Sequence, residues 1–331
     1  MKPNILFVTQ TLEGARAACG IGLIGRLIGE ALLDHSEYHF ELLYTDDYGL
    51  VEQRIAEYAP RAIIYNYSPG STPWLDHAQD RRAAYGHIKH IRIMHDMHQG
   101  IANNYSPMHN FGWEYIIADD PTVIETQHVF VTNRLLPAGP TKSYVDTGIP
   151  IIGFQGFSSI YSDDHKGVRR IAHQVLQEFD QAIIRLHIPF GFYGDPNGSA
   201  AMARVNEVRS IVAPKPGIGV EASHELLGTQ EIVDMLAQNT VNCYFYDYLD
   251  GAGLASSPDY ALAAGRPIAV ARSHQMRNFW NLQPTVLIEH SSLKQIIANG
   301  IEPLKPLYEA YSKHSVQRDY ARILDRILNH V

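Results

Sequence analysis

Short apolar runs alternate with amphipathic segments along most of the chain. In the first half, the runs predict strands at Ile5–Thr9, Tyr38–Tyr44, Ala62–Asn66, Ile91–Met94, Tyr115–Ala118 and Val129–Thr132. Such runs are typical of strands that are buried on both faces, as in a parallel sheet covered by helices. A helix with one apolar face is predicted by Leu23, Ile24, Leu27, Ile28, Ala31 and Leu32, which recur at helical spacing.

The second half repeats this pattern. Its runs predict strands at Ile151–Phe154, Ala182–Ile188, Ile218–Glu221, Cys243–Tyr248, Ile268–Ala271 and Thr285–Glu289. Helices are predicted at Val168–Phe179, Gly198–Val212, Thr229–Gln238 with Thr229 as its cap, and in a single amphipathic segment, Pro306–Leu328. Leu135–Pro150 is rich in Pro, Gly and Thr with weak periodicity, which is typical of a domain boundary. We therefore predict an α/β protein with two doubly wound, Rossmann-like parallel-sheet domains, 1–145 and 146–305, and a helical segment, 306–331, that packs back toward the first domain.

Length and composition agree with two domains and exclude some classes of function. The 331 residues are 45% hydrophobic, which is enough for two cores. A net charge of -8 and a pI near 6.1 argue against a protein that binds nucleic acid through phosphate contacts. The first apolar run is five residues long, too short for a signal peptide, and no window has the length of a membrane span. Two distant cysteines, Cys19 and Cys243, fit a reducing compartment, so we expect a cytoplasmic protein.

The stretch Cys243–Ala271 has the pattern of an anion-binding site. A predicted strand leads into an acidic loop with Asp250, Gly251 and Gly253, and then into a short helix. Ser257 is placed to cap that helix, because Pro258 suits the first helical position. Free backbone N–H groups at such a helix start attract phosphate. Since Asp250 and Asp259 would repel a bare anion, the stretch favours a phosphorylated sugar, with its hydroxyls on the carboxylates.

A histidine and an aspartate follow the fourth predicted strand. Functional residues of parallel sheets lie just after strand ends, and His95 and Asp96 occupy such a position. His95 suits a general base or a donor to a sugar hydroxyl, and it suits hydrogen bonding to loop carbonyls equally well. His87 and His90 raise the alternative of a metal site, but H-x-x-H without cysteine partners is a weak signal, and we predict no metal.

The glycines after the first strand allow three interpretations. Gly20, Gly22 and Gly25 have G-x-G-x-x-G spacing, but they start eleven residues beyond the strand, which disfavours a dinucleotide fingerprint. Close helix packing accounts for Gly25 and Gly29, and backbone approach by a substrate accounts for Gly20 and Gly22. Further along, Lys166 directly precedes a predicted helix, where a cation and free N–H groups could together hold a phosphate.

The order of these parts resembles the GT-B glycosyltransferases, and in detail the retaining family-four glycosyltransferases. Four stretches carry the resemblance: CGIGLIGRLIGEALL, His95–Asp96, His165–Gly167 and DGAGLASSPDYALAAGRPIAV. It implies two domains facing across a cleft with a C-terminal cross-over helix, and a nucleotide-diphosphate sugar held mainly by the second domain. By that resemblance His95 and Asp96 lie at the catalytic centre, and Lys166 meets the diphosphate. The remaining donor-binding residues implied are Gly20, Gly22, Asp250, Gly251, Gly253, Ser256, Ser257 and Asp259.

The chain departs from that family at two points. Asp250 and Asp259 stand near the family's two glutamates, with eight residues between them instead of seven, and Tyr260 takes the aligned second position. The arginine that precedes the lysine is absent, since Gly156, Phe157 and Ser158 occupy that area. Arg277 or Arg272 is a candidate to supply the lost positive charge.

We therefore expect a metal-independent, retaining glycosyltransferase that moves a sugar from a nucleotide-diphosphate sugar to an unknown acceptor without a further cofactor. Two other hypotheses stay open. One is a GT-B-shaped protein that binds nucleotide or sugar without catalysis, and the other is a nucleotide-sugar epimerase.

Overall fold

A computed structural model of the chain describes residues 2–11, 20–68, 72–157, 164–191 and 195–329. Cys19 and Ser158, which were named above, lie outside these ranges. The chain forms two compact units. The first contains Met1–Leu135, Gly251–Gly253 and Ala310–Val331, and the second contains Leu136–Asp250 and Leu254–Glu309.

The first unit is built on a six-stranded sheet in which every neighbouring pair is parallel. Its strands are β1 (Asn4–Thr9), β2 (His39–Tyr44), β3 (Ala62–Tyr67), β4 (Lys89–Met94), β5 (Tyr115–Ala118) and β6 (Val129–Val131). Their order across the sheet is β2-β1-β3-β4-β5-β6. All six predicted strands of the first half are confirmed, with ends shifted by one or two residues.

Two apolar clusters cover the two faces of this sheet. The helices are α1 (Gly20–Leu32), α2 (Tyr48–Tyr58), α3 (Gln79–Ala83) and α4 (Gln99–Asn103), and the last helix of the chain, α11 (Lys313–Asn329), also belongs to this unit. Successive strand residues point to opposite faces, so Ile5 and Phe7 join one cluster with Ile28 and Tyr320, whereas Leu6 joins the other. The first cluster therefore packs α1 and α11 on the same face of the sheet.

The second unit is built on a five-stranded sheet, again with only parallel pairs. Its strands are β7 (Ile151–Gln155), β8 (Ala182–His187), β9 (Ile218–Ser223), β10 (Val241–Tyr244) and β11 (Ile268–Val270), in the order β11-β10-β7-β8-β9. Its helices are α5 (Val168–Glu178), α6 (Ser199–Val212), α7 (Thr229–Leu236), α8 (Ser257–Ala263), α9 (Leu293–Asn299) and α10 (Lys305–Ala310). The two parallel sheets confirm the predicted α/β class.

Several predicted elements of the second half are corrected. The segment Thr285–Glu289 is not a strand, because only Leu287 forms a bridge to Val270 at the end of the three-residue β11. The predicted single helix Pro306–Leu328 is two helices, α10 and α11. The Ser312 hydroxyl accepts a hydrogen bond from the Ser315 N–H at 3.3 Å, and this starts α11 afresh.

The predicted helix caps also shift by one residue. Gly228, and not Thr229, is the N-cap of α7. Ser256 occupies the N-cap position of α8 without a side-chain hydrogen bond, and Ser257 is the first residue of that helix. The strand predicted at Cys243–Tyr248 is β10, which ends at Tyr244.

Candidate functional site

The carboxyl edge of the first sheet carries a connected set of polar side chains, which we call the histidine cluster: Thr9, Asn66, His95, Asp119 and Arg134. All five follow or end a strand, and each is at most 9% exposed. Since parallel strands bring their carboxyl ends to one edge, residues far apart in sequence meet there.

His95 lies between two acceptors. Its Nδ1 lies 2.9 Å from Asp119 Oδ2, and its Nε2 lies 2.7 Å from Asn66 Oδ1. The amide of Asn66 is oriented by its Nδ2, which donates to Thr9 Oγ1 and to the Ile21 carbonyl, each at 3.1 Å. Its Oδ1 is therefore presented to His95 Nε2 as an acceptor. Both ring nitrogens of His95 therefore lie within hydrogen-bond distance of side chains of the first unit.

Asp119 is the central acceptor of the histidine cluster. Besides His95, its carboxylate faces Arg134, whose Nη1 lies 3.5 Å from Oδ2 and 3.3 Å from the Asp119 carbonyl. Burial alone would raise the pKa of Asp119, but the positive charges of His95 and Arg134 outweigh it and lower that pKa. Asp119 is therefore ionised near neutral pH, and it holds the side chains of His95 and Arg134 in place.

The first turn of α1 borders the histidine cluster. Gly20 and Gly22 lie in this turn, and the carbonyl between them, that of Ile21, accepts from Asn66. A Cβ at Gly25 would lie 2.1 Å from Asn66 Nδ2 and 2.8 Å from Thr9 Oγ1. Close packing therefore explains Gly25, whereas a donor-binding role for Gly20 and Gly22 stays a prediction.

The loop glycines that were predicted to bind a donor also contact this region, because Gly251–Gly253 belong to the first unit. A Cβ at Gly253 would lie 2.3 Å from the His95 carbonyl oxygen and 2.8 Å from the Cα of Asp96. Only glycine permits this approach. Asp96 itself is exposed. The backbone of His95 and Asp96 is thus fixed by Gly253, while the Asp96 side chain faces solvent.

A second group, which we call the lysine cluster, consists of Gly156, Lys166, Tyr246 and Ser257 at the carboxyl edge of the second sheet. The Lys166 ammonium lies 4.2 Å from the centroid of the Tyr246 ring. A Cβ at Gly156 would lie 3.5 Å from Ser257 Oγ and 3.6 Å from the Tyr246 hydroxyl oxygen. Gly156 therefore lies beside two hydroxyl groups, one of them on the tyrosine whose ring contacts the ammonium.

Two groups of the lysine cluster have no polar partner among the described residues. The Tyr246 hydroxyl is buried, and no described residue forms a hydrogen bond with it. Within the described part of the chain, no carboxylate pairs with Lys166; its contact is with the Tyr246 ring. A buried donor and a nearby unpaired cation together favour an anionic ligand with hydrogen-bond acceptors.

The start of α5, directly after Lys166, is already occupied. The Asp164 carboxylate accepts from the N–H of Val168 at 3.0 Å and from that of Arg169 at 3.1 Å. Because a carboxylate already fills the anion position at this helix start, the expectation of free N–H groups beside Lys166 is wrong. Lys166 would have to bind a phosphate without them.

The other predicted donor-binding residues differ in exposure. Asp250 is exposed, whereas Asp259 lies in the first turn of α8 with 4% exposure. Ser257 opens α8, and its carbonyl accepts from the Tyr244 hydroxyl at 3.2 Å. Arg277 is buried, and its Nη1 donates to the His274 carbonyl at 2.7 Å within the same turn. Part of this guanidinium is thus used inside the protein.

The histidines considered for metal binding have other surroundings. His90 Nδ1 lies 3.0 Å from the Tyr65 hydroxyl, and His87 is exposed. Among the residues that the structure describes, no group of three His, Cys, Asp or Glu side chains could hold a metal ion. Likewise, no helix in the described ranges is long and apolar enough to cross a membrane.

Sequence reasoning missed several members of these clusters. Asn66 and Asp119 end or follow a strand, so the rule that selected His95 would have selected them too. Asp164 lies four residues before Val168, outside the N-cap position that Gly167 occupies, so the capping rule did not select it. Tyr246 and Arg134 had no signal of their own, because an aromatic after a strand and an arginine in a loop are common.

Solved structures resemble this chain over nearly its whole length. A glycosyltransferase of Rickettsia africae matches 100% of this chain with 100% of its own, at 11% identity and a TM-score of 0.56. The lipopolysaccharide outer core galactosyltransferase WaaB matches 98% with 99% of its own, at 10% identity and a TM-score of 0.58. A trehalose-6-phosphate protein of E. coli, solved with UDP-2-fluoro glucose, matches 99% with 96%, at 10% identity and a TM-score of 0.53.

This chain has the GT-B fold. The predicted resemblance to GT-B glycosyltransferases is thereby confirmed for the fold, while the family-four subtype stays a prediction. No protein-family model matches the sequence, and no curated relative matches it.

Proposed function

We propose that the protein is a glycosyltransferase whose donor is a nucleotide-diphosphate sugar bound at the lysine cluster. The observation that carries the proposal is the Lys166 ammonium, which pairs with no described carboxylate, beside the buried Tyr246 hydroxyl, which has no hydrogen-bond partner among the described residues. The GT-B fold supports it, because the similar structures include two glycosyltransferases and a protein solved with UDP-2-fluoro glucose. In open parallel sheets, ligands bind beyond the carboxyl ends of the strands, where this cluster lies.

The chemistry required of the lysine cluster is charge stabilisation. When the bond between the sugar and the diphosphate breaks, negative charge develops on the leaving phosphate oxygen. The Lys166 ammonium and the Tyr246 hydroxyl are placed to stabilise that charge, so the proposed transfer uses fixed protein groups in place of a metal ion. Retention of configuration is part of the proposal through the family resemblance alone.

The histidine cluster has a positioning role in this proposal. Both ring nitrogens of His95 lie within hydrogen-bond distance of other side chains. This arrangement suits a fixed group better than a base that must accept a proton. In this proposal, the hydrogen bonds of His95 and the negative charge of Asp119 keep the side chains at the carboxyl edge of the first sheet in fixed positions. The acceptor sugar or alcohol is not specified by these residues.

A sugar-binding protein without turnover is the second candidate. The observation in its favour is that Asp164, and not a ligand, fills the start of α5 next to Lys166. A carboxylate there weakens the attraction for a diphosphate and for its growing charge.

Thermal unfolding with UDP-, GDP-, ADP- and dTDP-sugars at millimolar concentration tests the proposal. A higher unfolding temperature with one donor class, followed by release of the nucleoside diphosphate over time, supports the transferase. Binding without release supports the second candidate, and an altered sugar recovered from donor alone would indicate an epimerase. No thermal shift with any donor would contradict both binding proposals.

A further inference from the structure

The first unit contains a buried positive charge that neither of the two clusters uses. Arg92 lies on β4 and is 5% exposed. Its guanidinium carbon lies 3.6 Å from the centroid of the Tyr67 ring. Its Nε is buried without a hydrogen-bond partner, and within the described residues no carboxylate or carbonyl accepts from the guanidinium.

Such a charge is costly for the fold. Transfer of an ion out of water is unfavourable unless the ion is paired and its hydrogen bonds are made. Contact with an aromatic face offsets only part of this cost. Burial lowers the pKa of Arg92 accordingly. The Arg92 guanidinium thus has unused hydrogen-bond donors that a ligand could satisfy.

A second arginine in the same unit shows what a structural buried arginine looks like. Arg82 is also 5% exposed, and its guanidinium carbon lies 3.8 Å from the centroid of the Trp113 ring. Unlike Arg92, it is satisfied by backbone carbonyls, since its Nη1 donates to Leu75 and its Nη2 donates to Phe111 at 2.7 Å. The two arginines are matched in burial and in aromatic contact, and they differ in hydrogen bonding.

Other polar atoms around Arg92 also lack partners. The Tyr67 hydroxyl donates to Asp76 Oδ2 at 2.5 Å, which leaves Asp76 Oδ1 buried and unpaired. The centroid of the Trp113 ring lies 6.0 Å from the Arg92 guanidinium carbon, and the indole nitrogen of Trp113 is buried without a partner among the described residues. Unsatisfied buried groups are rare in folded proteins, and a concentration of them marks a place that a polar ligand or water completes. The Asp76 carboxylate attracts Arg92 electrostatically but accepts its hydrogen bond from Tyr67, so the donors of the guanidinium stay available.

We propose that Arg92, stacked on Tyr67, binds the oxyanion of a small ligand, a phosphate or a carboxylate group. The planar guanidinium offers parallel N–H donors that match two oxygens of such a group. The anion supplies the missing charge and hydrogen bonds, and the nearby Asp76 can accept from a hydroxyl of the same ligand. This site is separate from the lysine cluster, and it does not depend on the proposed transfer reaction.

Stability of the full chain tests the first half of the proposal. Without ligand, Arg92→Met is expected to unfold at the same temperature as the wild type or above it, because it removes a buried charge whose hydrogen bonds are not made by the described residues. Arg82→Met is expected to unfold about 2–4 °C lower, because the carbonyls of Leu75 and Phe111 lose their donors. Failure of Arg92→Met to fold, or a loss equal to that of Arg82→Met, would show that Arg92 is structural.

Isothermal calorimetry with inorganic phosphate and with acetate, against chloride at equal ionic strength, tests the second half. The wild type and the exposed-arginine control Arg61→Met are expected to bind at least one of the two anions. Arg92→Met is expected to bind it about tenfold more weakly or worse, as for loss of charge-assisted hydrogen bonds. Phosphate alone or both anions would identify the ligand class, and equal affinities in the wild type and Arg92→Met would overturn the site.

Two further measurements separate this site from the donor site. We expect Lys166→Met to bind the anion like the wild type, which would place the anion at Arg92. If Lys166→Met loses anion binding and Arg92→Met keeps it, the anion binds at the lysine cluster and the proposal is refuted. Nucleotide-sugar binding in Arg92→Met is expected to match the wild type. Failure of the anion site would therefore leave the proposed transferase untouched.

Discussion

Gly25 on α1 touches Asn66 at the end of β3 so closely that a Cβ would lie 2.1 Å from the Asn66 amide nitrogen. That amide is the group that presents its oxygen to His95 Nε2 at 2.7 Å. A backbone requirement in the first helix therefore determines how a histidine 70 residues later is held. Gly25, the last glycine of the spacing that resembles a dinucleotide fingerprint, therefore has a packing cause.

Gly25→Ala tests this relationship. The added methyl group must displace the Asn66 side chain or α1, so we expect a loss of about 1–3 kcal/mol in the free energy of unfolding, as for overpacked cores. The control is Gly219→Ala on β9, where the nearest atom to an added Cβ lies 3.9 Å away. Urea unfolding of both variants checks the prediction, and equal stability of Gly25→Ala and the wild type would refute the packing argument.

Asp119→Ala tests the electrostatic part of the histidine cluster. Removing the carboxylate leaves Arg134 and His95 buried without their shared acceptor, and we expect a loss of about 3–5 kcal/mol in the free energy of unfolding. Since the pKa of Asp119 is lowered in the fold, its contribution is present above about pH 4 and is lost as the pH falls further. Glu114→Ala, at an exposed side chain nearby, serves as the control.

Most of the Asp119 effect should disappear when Arg134 is also removed. In a double-mutant cycle, Asp119→Ala in an Arg134→Met background is expected to be less destabilising than in the wild type. Additive losses would show that the two side chains act independently.

The lowered pKa of His90 predicts that the free energy of unfolding depends on pH. Burial lowers the pKa of His90 to about 4, compared with 6.5 for the free side chain. Between these values the unfolded chain binds more protons than the folded chain, so stability rises with pH and is complete above about pH 6.5. The shift corresponds to about 3 kcal/mol over that window. Urea unfolding at pH 4.5 and pH 7 is expected to show a smaller pH difference in His90→Gln than in the wild type, and an unchanged difference in His87→Gln, where the side chain is exposed.

The sequence predicted the fold well because buried parallel strands are uninterrupted apolar runs. The apolar runs Ile5–Thr9 and Tyr115–Ala118 predict buried strands, and the structure has a strand at both places. The last helices were harder, since the apolar spacing continues through Tyr311 and Ser312 while the Ser312 hydroxyl caps a new helix. Periodicity reports which face is buried, and it does not report where the backbone turns.

The candidate site was predictable only in part. His95 and Lys166 were selected because their residue types are chemically distinctive after a strand or before a helix. The sequence did not show that both His95 nitrogens face acceptors or that Asp164 fills the start of α5, because both depend on side-chain geometry across the fold. The partnerless hydroxyl of Tyr246 is visible only once its neighbours are placed.

Calorimetric titration of Lys166→Met with the donor that stabilises the wild type tests whether Lys166 binds the diphosphate of a nucleotide-sugar donor. We expect a dissociation constant about 10- to 100-fold higher than in the wild type, as for loss of a charge-assisted contact, with an unchanged unfolding temperature. The matched control is Lys142→Met, at an exposed lysine of the same unit, which is expected to bind the donor like the wild type. Equal donor affinity in Lys166→Met and Lys142→Met would contradict the assignment of the lysine cluster as the donor site.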